Sequence, residues 1–295
     1  MNIMVILNYN DAETTITYLN KIKDYSILDK IIVVDNCSTD DSYKRIVKLK
    51  NEKIDVILSN GNFGYAAGNN IGIAYANEHY EPEYIIVSNP DIEVEAEGIK
   101  RIISFLEEDI NIAVATGLIH NANHQVVQNF AWKLPDYKAV LRGNSGIFQS
   151  LYEKKTNNSS YYNLDETGEE PLNVDVVPGC FFAIRNKVWK DMQGFDERTF
   201  LFWEENILGC RLKKGCLKTY VLPNVQILHK ESVSINKNIQ SFYKKKKITF
   251  QSESVYVRYY LKKGVLMRTL HRFVYIYGLL EGFLYLKYLT WKRRS

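Results

Sequence analysis

Short apolar runs return along the first third of the chain at Ile3–Leu7, Ile31–Val34, Ile54–Leu58 and Ile85–Val87. Between them lie segments that read as helices or polar turns. Runs of four to eight apolar residues bounded by turn formers suit strands covered on both faces, and strand–helix alternation implies a mainly parallel sheet flanked by helices, an α/β fold. In such sheets ligands sit outside the carboxyl ends of the strands. The most pointed of these ends is Tyr84-Ile85-Ile86-Val87-Ser88-Asn89-Pro90-Asp91, where an apolar run stops in a polar turn. Asp91 is the first candidate for chemistry, although it would equally serve to close the turn and cap the next helix.

Other punctuation fits the same frame. Asp11 can cap a helix carrying Ile16, Leu19 and Ile22, and Ser38 with Asp41 resembles a capping box after the second strand. Asn62-Phe63-Gly64-Tyr65-Ala66-Ala67-Gly68-Asn69-Asn70 offers small residues where backbone could approach a phosphate, and helix–strand packing would explain its glycines as well. A helix over Glu95–Glu108 and a strand at Ile112–Ala115 continue the alternation; residues 136–171 read as a polar excursion with a mobile loop. Val174–Arg185 reads as two strands broken at Pro178-Gly179, followed by a helix at Lys187–Met192. Glu204 and Glu205 stand at the start of a helix ending at Lys213, Lys214 and Gly215, and His229 closes a strand at Val225–Leu228.

Charge divides the 295 residues unevenly. Residues 236–295 hold 14 Lys and Arg against only Glu253 and Glu281, a net +12, so the whole-chain +4 leaves −8 for residues 1–235. We therefore expect a domain over 1–235 and a basic amphipathic helical extension over 236–295. Its most apolar part, Phe273–Leu286, is shorter than the ~20 residues that span a bilayer, and its Tyr and Trp content suits an interface. A helical hairpin packed on the core is the competing reading. Nucleic acid is not the expected partner, because no groove-reading motif accompanies the charge. The start Met1–Leu7 lacks a basic leader and cleavage site and reads as a first strand rather than a signal peptide. Cys37, Cys180, Cys210 and Cys216 have no metal-finger spacing, so reduced thiols are expected.

Taken in order, Leu7-Asn8-Tyr9-Asn10, Val33–Asp40, Asn62–Tyr65 with Gly68-Asn69, Ser88–Asp91, Pro178-Gly179-Cys180, Gly194–Glu197, Trp203-Glu204-Glu205 and His229 resemble the family 2 inverting glycosyltransferases of GT-A fold. The resemblance covers about residues 1–232 and is nearest to the rhamnosyltransferase-like and galactofuranosyltransferase-like branch. It implies a UDP- or dTDP-sugar donor held by Tyr9, Asn10, Asp35, Asn36, Ser38, Asn62, Gly64, Asn69, Asn89 and Asp91. It implies a divalent metal, Mn2+ or Mg2+, on Asp91 and His229, with Asn89 replacing the first carboxylate of the family's Asp-x-Asp motif. Glu205 matches the catalytic base, a position usually Asp, and Glu204 could share the task. Gly179, Cys180 and Trp203 would meet the acceptor, unless Trp203 belongs to the core, and the loop at 136–171 could close over the donor. The implied function is hexosyl transfer to a glycan or lipid-linked acceptor in bacterial surface polysaccharide synthesis, on the cytoplasmic face of the cell membrane as a peripheral protein. A homo-oligomer is left open. The departures at Asn89, Glu205 and Asn206 admit a degenerate module that binds nucleotide-sugar or glycolipid without turnover. A nucleotidyltransferase is disfavoured because the glycine-rich, basic activation loop expected after strand one is missing.

Overall fold

The computed structural model describes residues 1–156, 159–164, 168, 170–230 and 241–292. Strands β1 (Asn2–Asn8), β2 (Lys30–Asp35), β3 (Ile54–Leu58) and β4 (Tyr84–Ser88) pair in parallel in the order β3-β2-β1-β4. Helices α1 (Ala12–Ile22), α2 (Ser42–Ile46) and α3 (Gly64–His79) supply the crossovers. Ile3 to Ile6, Ile31 to Val34 and Ile85 to Val87 have no exposed surface, as expected for strands covered on both faces. Because Leu7 pairs with Val34 and Asn8 with Asp35, the apolar runs of β1 and β2 end at the same height and a polar edge follows.

The other half of the nine-stranded sheet is mixed rather than parallel. It contains β5 (Ile92–Glu93), β6 (Ile112–His120), β7 (Leu172–Val174), β8 (Phe181–Arg185) and β9 (Lys218–His229), with α4 (Ala96–Glu108) packed beside β6 and α7 (Asn186–Asp191) following β8. Strand β8 runs antiparallel to β4 with Ser88 opposite Phe181, which sets the 178–180 turn beside Asn89. Strand β5 runs antiparallel to β9 with Ile92 opposite His229. These two pairings bring residues more than ninety positions apart to one edge.

The excursion at 136–171 is not a plain loop. It contains α5 (Tyr137–Gly143) and α6 (Gly146–Thr156). The Asp136 carboxylate caps α5 by accepting from Ala139 N at 2.7 Å, and Tyr137 and Val140 bury one turn apart. Ser38 is likewise not a cap, since α2 begins four residues later at Ser42. Helix α8 (Glu204–Lys214) ends at Gly215 as its basic last turn foretold.

The extension contributes α9 (Phe242–Val255), a π-turn at Tyr256–Tyr260 and α10 (Val265–Lys292). The boundary placed between 235 and 236 lies outside the described residues. Tyr256 and Val257 are buried in a second cluster with Tyr137, Val140, Ile207 and Cys210, so the first part of the extension is built into the core. Buried Glu253 bonds both His271 and Asn144, and Glu281 accepts from Ser145 Oγ and Gly146 N. The acid that interrupts the apolar run thus docks α10 at the start of α6. No helix among the described residues is long and apolar enough to cross a membrane.

Candidate functional site

Of the residues expected to hold a donor, those at the ends of β1 and β2 form a closed hydrogen-bonded knot. Asp35 has no exposed surface, and its carboxylate accepts from Asn8 Nδ2 at 2.7 Å, Ser38 N at 2.8 Å and Ser38 Oγ at 2.8 Å. Ser38 Oγ in turn accepts from Asn10 N at 2.9 Å, while the Asn10 amide exchanges bonds with Thr39. Asn36 Nδ2 donates to Asn62 Oδ1 and to Gly64 O, tying this knot to the next strand end. Tyr9 is half-buried beside it. Asn69 is wholly buried on α3, with Nδ2 donating to Tyr65 O, so its side chain does not open on this edge as expected.

Gly64 is where the turn after β3 meets the segment leading into the helix that bears the glutamates. Its φ is +91°, and a Cβ there would stand 2.0 Å from Phe200 O, the carbonyl that accepts from Tyr65 N at 2.7 Å. Only glycine admits that approach. Past Phe200 the chain bends through two left-handed residues, Phe202 (φ 68°) and Trp203 (φ 70°), before α8 starts. Such conformations are costly for aromatic residues and persist where surroundings hold them. Here Ser252 Oγ of α9 donates to Leu201 O, and Trp203 packs on Tyr256 with ring centroids 5.3 Å apart. Trp203 therefore has both a core contact and a face on a cleft described below.

At the other end of the edge, Asp91 is buried and lies 3.4 Å from His229 through Oδ2 and Nε2. Asp91 Oδ1 and His229 Nε2 have no hydrogen-bond partner. Lys230 N donates to Asp91 O, which fixes the β9 end against this turn. The neighbouring Glu93 does not compete for the place: it pairs with Lys230 and Lys21, and the Lys230 contact, against the cost of burial, holds its carboxyl below the usual range. A carboxylate oxygen and an imidazole nitrogen left bare within one turn are a donor set suited to a divalent cation. Among the described residues no third His, Cys, Asp or Glu joins them.

The Gly179-Cys180 dipeptide connects the two ends. Cys180 O accepts from Asn89 N at 2.8 Å on the Asp91 side; Gly179 N donates to Glu205 Oε1 at 3.3 Å, and Gly179 O accepts from Tyr65 Oη at 2.6 Å. The Cys180 thiol is buried, and burial together with Asp91 and Glu205 pushes it far above its ordinary value. Glu205 is partly open to solvent, whereas Glu204 is buried with Oε2 unpartnered. Burial raises both carboxyls, and the adjacent Glu205 raises Glu204 further. Of the two, Glu204 is the interior group and Glu205 the one that reaches solvent. Tyr65, raised by burial and by both glutamates, remains a hydroxyl donor.

Trp203 and Asn206, which flank the glutamates, open onto a cavity of about 910 Å³ walled on its far side by α5 and α6. Trp132 Nε1 donates to Asn206 Oδ1 at 2.9 Å, and Tyr152, Tyr161 and Arg142 complete a rim of flat and amide-bearing groups. None of these four stood out in the sequence, where Arg142, Tyr152 and Tyr161 lie scattered through the polar excursion and Trp132 just before it; the dense Asn, Ser and Tyr content was the available signal. A separate support was also missed. Although burial would raise Asp196, hydrogen bonds from Arg198 and Tyr260 outweigh it and hold its carboxyl at about 2, which pins the 194–197 turn to the extension.

Comparison with known proteins converges on one group. Residues 3–192 match the family model described as glycosyl transferase family 2. A low-salt glycan biosynthesis hexosyltransferase of Haloferax volcanii is 24% identical over 230 residues, covering 78% of this chain and 67% of that protein. An N-acetylglucosaminyl-diphospho-decaprenol L-rhamnosyltransferase of Mycobacterium tuberculosis is 24% identical over 216 residues, covering 70% of this chain and 68% of the relative. Among solved structures, GalNAc-T7 with UDP, GalNAc and Mn2+ superposes with a TM-score of 0.57 at 15% identity, over 78% of this chain and 43% of that one.

Proposed function

The chain belongs to glycosyl transferase family 2 and has a GT-A type fold, and on that premise we propose that it transfers a hexosyl group, with inversion, from a UDP- or dTDP-sugar to a glycan or lipid-linked acceptor. The observation that carries this reading is the Gly179-Cys180 dipeptide, which binds Asn89 on one side and Glu205 on the other and so holds a bare Asp91–His229 pair and a half-open carboxylate about one turn of chain. An inverting transfer needs that pairing: charge compensation where the diphosphate departs, and a base where the acceptor hydroxyl attacks.

A divalent cation, Mn2+ or Mg2+, held by Asp91 and His229 would compensate the charge growing on the leaving diphosphate. Glu205 takes the proton of the attacking hydroxyl as the acceptor oxygen bonds to the anomeric carbon and the nucleoside diphosphate leaves with the glycosidic electron pair. Its raised pKa suits that role, because a base nearer neutrality is a stronger proton acceptor. The Gly179 N–H orients it, and the adjacent Glu204 is buried. The Asp35–Ser38 knot and the Gly64 turn shape the seat of the nucleotide, and the cleft beyond Trp203 and Asn206 receives the acceptor glycan, flat rings offering faces to sugars. Residues 1–235 are the catalytic domain on this reading.

Residues 236–295 form the extension, which sets the enzyme peripherally on the cytoplasmic face of the membrane, where lipid-linked acceptors of surface polysaccharides are held. Support comes from α10, where Leu266, Leu270, Phe273, Tyr277, Leu280 and Leu284 are exposed at helical spacing, Leu266 by 82% and Phe273 by 65%. The test of transfer is direct: incubate the chain with UDP- and dTDP-hexoses, Mn2+ and a lipid-linked disaccharide, and read product configuration by NMR. An inverted linkage with release of nucleoside diphosphate is expected. A retained linkage would overturn the mechanism, and donor binding without release would make the chain a binding module.

A further inference from the structure

The extension holds only two acids, Glu253 and Glu281. Both are committed to the core, Glu253 to His271 and Asn144 and Glu281 to Ser145 and Gly146. Between α9 and α10 lies a cavity of about 670 Å³ whose lining includes Lys247, Arg258, Arg268 and Arg272 and no acidic residue. None of these four has an ion-pair partner among the described residues. Arg268 and Arg272 stand one turn apart on the same helix, where like charges repel, and Arg268 Nε is buried with no hydrogen-bond partner. A buried guanidinium N–H without an acceptor is a cost to the fold that an oxyanion would remove.

The walls are not only basic. Phe250, Tyr275, Val265 and Ile276 line the same cavity; Val265 and Ile276 are themselves exposed, and the exposed Leu266 and Phe273 follow the lining residues Val265 and Arg272 along α10. Charge below and hydrocarbon alongside match a lipid, whose phosphate is anionic and whose chains are not. We propose that the α9–α10 cavity is a binding site for the phosphate headgroup of an anionic membrane lipid, with Arg268 and Arg272 as its principal donors. The inference rests on the membrane part of the reading above, and gives it a specific anchor in place of a general attraction.

The test is flotation of the full chain with vesicles of phosphatidylcholine alone and of equal parts phosphatidylcholine and phosphatidylglycerol. The wild type should bind the anionic vesicles far more tightly, and Arg268→Gln/Arg272→Gln should weaken that binding by about 20-fold, since each surface cation contributes roughly fivefold. Leu266→Ser/Phe273→Ser should weaken binding to both vesicles. Donor-induced thermal stabilisation reports on folding and should be the same in every variant, as none touches the donor edge. Raising salt on the wild type gives a readout without any substitution: anionic binding should fall steeply once screening shortens below ~10 Å. Equal binding to both vesicles, or an unaffected arginine double variant, would remove the headgroup site and leave the membrane reading standing. No binding to either would remove both. Release from anionic vesicles by inorganic phosphate at matched ionic strength would reassign the cavity to a soluble anion and overturn the lipid.

Discussion

The donor-side knot and the opposite strand edge use the same kinds of residues to different ends. Around Asp35, Ser38, Asn8, Asn10 and Asn62, carboxylate, hydroxyl and amide groups are spent on one another. At Asp91 and Glu204 a buried carboxylate oxygen has no hydrogen-bond partner, and His229 Nε2 has only its 3.4 Å approach to Asp91 Oδ2. A buried polar group left unsatisfied costs roughly 1–3 kcal/mol, so its retention asks for a reason that packing does not supply. The first region is satisfied within itself. The second keeps buried atoms without hydrogen bonds, which on the proposed function a metal and its donor would complete.

That contrast can be broken by substitution. Glu205→Gln should have the largest effect, lowering transfer by about 10²–10⁴-fold with the donor dissociation constant unchanged; turnover assays beside titration calorimetry will show whether the loss is confined to the chemical step. Asp35→Ala removes the acceptor of three bonds and should act first on stability, by about 3 kcal/mol, read as a fall of roughly 6–12 °C in Tm. Gly64→Ala forces a Cβ toward Phe200 O at a positive φ and should cost about 2 kcal/mol, seen in denaturant melts.

Glu204→Gln should do the reverse. Its carboxyl is raised in the fold, so above the ordinary glutamate range the folded state binds more protons than the unfolded one and stability falls as pH rises. The amide escapes that loss, and melts should show a gain of roughly 2–4 °C at about pH 8 that vanishes near pH 4. Truncation after 235 is a poor probe of the extension, because it would uncover the cluster around Tyr256 and Val257 and unpin Asp196.

Much of this was legible in the sequence where physics acts locally. The runs at Ile3, Ile31 and Ile85 are long enough to be buried on two faces, and the abrupt polar end of the last marked Asp91, while Asp35 was reached through the resemblance. The mixed half of the sheet was not, because strand direction at β8 and β9 is set by pairings across more than ninety residues. Ser38 reads as a cap from its spacing to Asp41, whereas its hydroxyl and N–H turn back three residues to Asp35 in a local turn that the spacing does not reveal. Local chemistry alone does not separate Glu204 from Glu205, which only the resemblance ranked; burial separates them in the structure. Trp132 was silent because its partner, Asn206, lies 74 positions away. Glu281 looked like a blemish in an apolar helix and is a tether to α6.

The central claim is that the bare pair Asp91–His229 belongs to a nucleotide-sugar site completed by a metal. Thermal shift of the wild type and of Asp91→Asn with UDP- and dTDP-sugars, with and without Mn2+, addresses it most directly. A ligand at about 100 times its dissociation constant stabilises by about 2.7 kcal/mol, which is readily resolved as a rise in Tm. The expected result is stabilisation of the wild type by one donor, strongly enhanced by Mn2+, with the enhancement lost in Asp91→Asn. Stabilisation that ignores Mn2+, or that survives intact in Asp91→Asn, would contradict it.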